Sequence, residues 1–227
     1  MVSFLLLLII YLSFVSLGLP DSMLGASWPL IYPSIGADVS MAGIVSMTAC
    51  FGTVISSLAF AKISKRFSTR VITSFSIFVT SLALFLMSKA TSIYMMLPIS
   101  LLLGLGGGCV DSALNNYVSL HYSTGAMSFL HGFWGVGTTI GPILLGIILP
   151  LGYTWRTGYF CISIVQAAIL ILSLLGFPLW TLKEKENRKQ GIYEDKEKVL
   201  GAKEAMKRNG AVFALLGFFA YCSLENT

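Results

Sequence analysis

The sequence predicts an all-α integral membrane protein, and three observations carry that prediction. Hydrophobic residues make up 56% of the 227-residue chain and charged residues only 11%, against roughly 25% charge in a soluble domain. The charge is concentrated: outside Lys62–Arg70 and Lys183–Arg208 it is carried only by Asp21, Asp38, Lys89, Asp111, Arg156 and Glu225. What remains is a series of apolar stretches, most of them reaching the ~18–20 residues that cross a ~30 Å hydrocarbon core as a helix.

Spans are expected at about 5–32, 40–61, 71–88, 93–119, 126–150 and 156–181, with a seventh beginning near 211. Short turns such as PSIGADVS and HYSTG separate them and carry the Gly, Ser and Pro suited to that task. The expected organisation is a six-helix transmembrane half over 1–182, a polar cytoplasmic loop over 183–209, and the start of a further span over 210–227, cut short. The opening MVSFLLLLIIYLSFVSLG lacks the basic start and small-residue cleavage site of a signal peptide, so it reads as a first span.

Several function classes drop out. The net charge of +5 comes from residues that flank spans, without the interleaved aromatics of a nucleic-acid surface. Cys50, Cys109, Cys161 and Cys222 sit one each in separate apolar stretches with no C-x-x-C, and read as small buried hydrophobes. The GLGGG run at 104–108 lies inside a span and has no following Lys-Ser/Thr, so it is not a phosphate loop. No nucleophile–base pair or metal-spaced cluster is legible. The expectation is therefore a protein that is not an enzyme and carries no metal and no cofactor.

Shifting the chain by 90 residues overlays the first span on the fourth. Gly18 meets Gly108, Asp21 meets Asp111, Ser22 meets Ser112, Leu24 meets Leu114 and Tyr32 meets Tyr122. A spacing of three spans gives the two copies opposite orientation, and inverted three-helix repeats within a six-helix half are a transporter signature.

Residues 62–72, KISKRFSTRVI, stand where a G-x-x-x-D-R-x-G-R motif would lie between the second and third spans; Arg66 and Arg70 match it, while Ala61, Lys65 and Ser68 replace Gly, Asp and Gly. With six spans, a charged loop and a further span, the chain resembles the major facilitator superfamily, whose members have two six-helix halves. The resemblance implies a 3+3 inverted-repeat bundle, an opposing C-terminal half missing from this sequence, and a cytoplasmic gate motif at Arg66 and Arg70. Lys65 in place of the acid argues against the usual charge clasp at that gate. Asp21, the run Cys109-Val110-Asp111-Ser112-Ala113-Leu114-Asn115, Gly137-x-x-x-Gly141-Pro142 and Tyr221-x-x-x-Glu225 resemble motifs of the fucose:proton symporter branch. That branch implies that Asp21 and Asp111 handle the coupling proton and sugar hydroxyls, and that Glu225 stands at the branch's acid in the seventh span.

The residues support a pathway on their own. A carboxylate within a span costs at least ~2.5 kcal/mol on insertion scales, so it normally faces a partner or water. Helical spacing puts Asp21, Gly25, Trp28 and Tyr32 on one side of the first span, and a carboxylate beside aromatic rings suits a sugar's hydroxyls and C–H face. Trp28 is either such a ring or an interfacial belt residue. Asn115 lies one turn from Asp111 on the fourth span. His131 and Trp134 lie three apart on the fifth, as site residues or as hydrogen-bonded packing. Gln166 on the sixth either lines the cavity or packs. Gly104, Gly108, Gly137 and Gly141 with Pro142 allow close helix approach and a kink.

The expected function is a proton-coupled importer of a sugar or related small polar solute, working by alternating access in the plasma membrane, with the proton favoured over sodium. The alternatives are an efflux antiporter of the same superfamily and a non-transporting truncated remnant. Lys62, Lys65, Arg66, Arg70 and nine basic residues in 183–208 lie on one side, against Lys89 and Arg156 on the other. By the positive-inside rule the N-terminus is cytoplasmic. In a background without native cysteines, a cysteine at Ser92 should react with an impermeant thiol reagent on intact cells while one at Gly191 is spared. The reverse pattern overturns the orientation.

Overall fold

The computed structural model describes residues 2–189, 207, 210 and 212–213. It divides into two compact units, Met1–Glu194 and Asp195–Thr227. In the second, Lys207 and Gly210 lie at turns, Gly210 with φ +87°, and Val212 and Phe213 are helical and exposed. Glu225 and the rest of the expected seventh span lie outside the described residues.

The first unit is a helical bundle: α1 (Val2–Ser34), α2 (Met41–Ile63), α3 (Thr69–Ser88), α4 (Ile93–His121), α5 (Thr124–Ile148), α6 (Trp155–Leu175) and α7 (Phe177–Lys189). The first six are long and apolar enough to cross a membrane. α1 packs chiefly on α5 and α6, α4 on α2 and α3, and α3 on α6. Exchanging each helix for the one three places along maps this pairing onto itself, as an inverted 3+3 repeat requires.

Hydrocarbon supplies no apolar driving force between helices, so packing depends on close backbone approach at small residues. Gly18 and Gly108, equivalent in the repeat, serve this purpose in each copy. A Cβ at Gly18 would run into the Trp134 carbonyl of α5, and one at Gly108 into the Ser56 hydroxyl and the Thr53 carbonyl of α2. Gly104 and Gly137 are equally tight, against the Ala49 and Val15 carbonyls. At these positions glycine lets one helix backbone lie directly on another.

Proline adds a second device. It has no N–H, so the carbonyl four residues earlier loses its helical partner, and in a bilayer that carbonyl must find another. Pro20 frees the carbonyl of Ser16, and the Gln166 amide of α6 donates to it at 2.7 Å. Pro142 frees the carbonyl of Thr138, and the Ser22 hydroxyl of α1 donates to it at 2.6 Å. Gln166 is 1% exposed and its amide oxygen also accepts from Thr80 of α3 at 3.4 Å. Of the two readings open for Gln166, packing is the one observed.

The sixth span ends earlier than 181. α6 stops at Leu175, and Pro178 stands in the first turn of a separate helix, where the N–H it lacks would be unpartnered anyway. α7 is docked by side chains: Trp180 is buried against Tyr117, and the Arg70 guanidinium donates to the Thr181 hydroxyl at 2.6 Å while lying 5.7 Å over the Phe177 ring. Lys183 pairs with Glu186 at 3.1 Å, which holds the Glu186 carboxyl below the usual carboxylate range. The start of the polar segment is thus a packed helix.

Overpacking a tight contact costs about 1–3 kcal/mol. Gly18→Ala and Gly108→Ala should therefore each lower the melting temperature in detergent, whereas Gly132→Ala, where a Cβ meets nothing within 4 Å, should leave it unchanged. A thermal-shift series reads all three.

Candidate functional site

α5 carries Trp134 and His131 one turn apart, and its glycine seam with α1 sets how close they come to the acids. Because Gly18 and Gly137 let the two backbones approach, the Trp134 indole N–H reaches across and donates to the Asp21 carboxylate at 2.9 Å. Ser22, next in sequence, fixes the same seam through Thr138. Asp21 is itself exposed.

Asp111 sits half-buried on α4 and accepts from the Asn115 amide at 2.9 Å, one turn along the same helix. It lies close enough to His131 and to Asp21 for each pair to interact electrostatically. His131 is exposed and meets Phe14 of α1 edge-on at 5.9 Å. The Tyr11 and Phe133 rings stack beside it at 4.8 Å between α1 and α5. Five of the expected site residues, Asp21, Asp111, Asn115, His131 and Trp134, therefore form one polar group set among apolar helices.

Trp134 and Asn115 each aim an N–H at one of two carboxylates that repel each other electrostatically. The arrangement can hold a proton, and it offers acceptors and donors to a polar solute. Among the described residues there is no group of three His, Cys, Asp or Glu side chains that would hold a metal ion.

Trp28 does not belong to this group. It is 5% exposed within the core that also holds Ile31, Trp155 and Tyr159, and its indole donates to the Val39 carbonyl at 2.9 Å. Tyr32 packs against the same core. The ring is needed to close the turn after α1, and it has no free polar edge for a ligand. Pro142 is exposed, and Gly137 and Gly141 are buried against α1, where a Cβ at Gly141 would lie 2.9 Å from the Leu19 carbonyl. Arg66 is exposed, while Arg70 is committed to α7 and not to a carboxylate. Glu225 lies outside the described residues. Sequence reading passed over Ser22, whose signal was available: a hydroxyl donor beside the acid, facing a helix whose proline frees a carbonyl.

The family model of the Major Facilitator Superfamily matches residues 10–225. The chain belongs to that superfamily of membrane transporters. A comparison with curated proteins found no match. Within the superfamily's architecture, the six spans and their repeat form a half-bundle.

Proposed function

We propose that the chain is the N-terminal half of a proton-coupled symporter that imports a sugar or a related small polar solute by alternating access. It lies in the plasma membrane with its N-terminus cytoplasmic, and Arg66 and Arg70 stand at its inner gate. The observation that carries this reading is the meeting of Asp21 and Asp111, one from each repeat copy, with Trp134, Asn115 and His131 as partners. An acid in a span is costly unless it serves a pathway; two of them sharing one partner helix mark where solute and proton are exchanged.

Each residue takes a stated part. Asp21, exposed and held by a single indole N–H, carries the proton. Asp111 and Asn115, fixed to each other, bind solute hydroxyls. Trp134 offers its ring face to the solute's C–H groups while its N–H orients Asp21. α2 and α5, a repeat pair, are the least buried of the six spans, and a second six-helix half closes the site against them. The likeness to the fucose:proton symporter branch supports the solute class.

Proteoliposomes holding both halves test the assignment. Asp21→Asn should abolish proton-driven accumulation of labelled sugar and leave sugar exchange intact. Asp111→Asn should weaken binding by about 10- to 100-fold, the loss of one hydrogen bond to a charged group. If both variants accumulate sugar normally, neither acid couples transport and the symporter reading falls.

A further inference from the structure

Among the described residues, two basic residues lie at the end of the bundle opposite α7, and the fold brings them together. Lys89 caps the C-terminal end of α3, and Arg156 lies in the first turn of α6. The Arg156 guanidinium donates to the carbonyl of Ala90, the residue after Lys89, at 3.0 Å. The Lys89 ammonium lies 5.9 Å over the ring of Phe160, one turn along α6 from Arg156, and 5.8 Å over Phe85. Phe85 and Phe160 are each 40% exposed and their rings are 6.2 Å apart.

Both cations are held in position. Arg156 stacks 4.3 Å over Trp155, whose own indole is anchored on the Ser34 hydroxyl at 3.0 Å. A guanidinium has five N–H donors, and one here is taken by Ala90. Among the described residues neither cation meets a carboxylate. The acid of the neighbouring turn, Asp38, is engaged by the backbone N–H and hydroxyl of Ser40 at 2.9 and 2.7 Å. Two positioned, unneutralised cations above an exposed aromatic pair, at a span's end, are a site for an anion that also brings hydrocarbon.

We propose that Lys89 and Arg156 dock the phosphate of an anionic phospholipid, with its acyl chains lying along Phe85 and Phe160. Arg pairs with phosphate oxygens through two parallel N–H bonds, and Lys supplies a point charge beside it. A zwitterionic headgroup carries its own cation, which competes for the phosphate and is repelled by Lys89 and Arg156, so the site selects a net negative lipid. The seam lies on α3 and α6, away from the acids on α1, α4 and α5, and the proposal stands whatever the solute is.

Native mass spectrometry of the full chain, titrated with phosphatidylglycerol and separately with phosphatidylcholine, tests it. The wild type should retain phosphatidylglycerol in preference. Lys89→Gln should cut that retention about fivefold, the effect of one basic residue near an anionic surface, and adding Arg156→Gln should remove the preference. Inorganic phosphate at millimolar concentration should not displace the lipid. Lys89→Gln breaks no hydrogen bond of the protein, so its result stands even if the double variant, which loses the Ala90 bond, folds poorly. Equal retention of the two lipids by the wild type, unchanged retention in Lys89→Gln, or displacement by free phosphate would each overturn the proposal.

Discussion

A backbone carbonyl in hydrocarbon must have a donor, and much of this bundle follows from where prolines remove one. Pro20 and Pro142 open the ladders of α1 and α5, and the carbonyls of Ser16 and Thr138 are capped from neighbouring helices by Gln166 and Ser22. Both caps involve α1. It is thereby tied to α6 on one flank and α5 on the other, within two turns of Asp21. A change that leaves either carbonyl without a donor forfeits on the order of 1–3 kcal/mol, which is large for a bundle with little apolar driving force between helices.

From that constraint the polar group takes its form. The Ser22–Thr138 bond and the glycine contacts at Gly18 and Gly137 set the α1–α5 separation. That separation in turn puts the Trp134 indole on Asp21 and His131 near Asp111. α5 bonds Asp21 through Trp134 and acts electrostatically on Asp111 through His131, and the inverted repeat makes the two carboxylate helices, α1 and α4, equivalents. At the far end, α7 is fastened to the start of α3 through Arg70 and lies against α4 through Trp180. Movement of the half-bundle about its centre is then a movement of helices already linked in pairs.

Much of this was legible beforehand. Hydropathy gave the six spans to within a few residues, because apolar length is all a bilayer asks of a helix. The Gly18/Gly108 and Asp21/Asp111 matches gave the repeat, since the same packing and polar needs recur in both copies. Helical spacing alone could not place the Trp28 ring, because the indole is captured by the Val39 carbonyl in the turn after α1 and buried in the core beside it. Gln166 was ambiguous because a polar side chain in a span looks the same whether it faces water or a proline-freed carbonyl. The break at Gly176 was hidden by the continuous apolar run through Trp180, which is buried by packing on Tyr117 and not by lipid. Arg70's partner, Thr181, lies 111 residues away at the very end of the stretch that reads as the sixth span, so nothing local pairs the two.

The central claim is that the Ser22 hydroxyl is there to cap the carbonyl Pro142 frees. A double-mutant cycle on these two positions tests it directly, with unfolding followed in detergent. Ser22→Ala should cost about 1 kcal/mol with Pro142 present. In a Pro142→Ala background, where residue 142 regains an N–H for Thr138, the same substitution should cost close to nothing. Equal costs in the two backgrounds would show that the hydroxyl serves some other end, and would contradict the account.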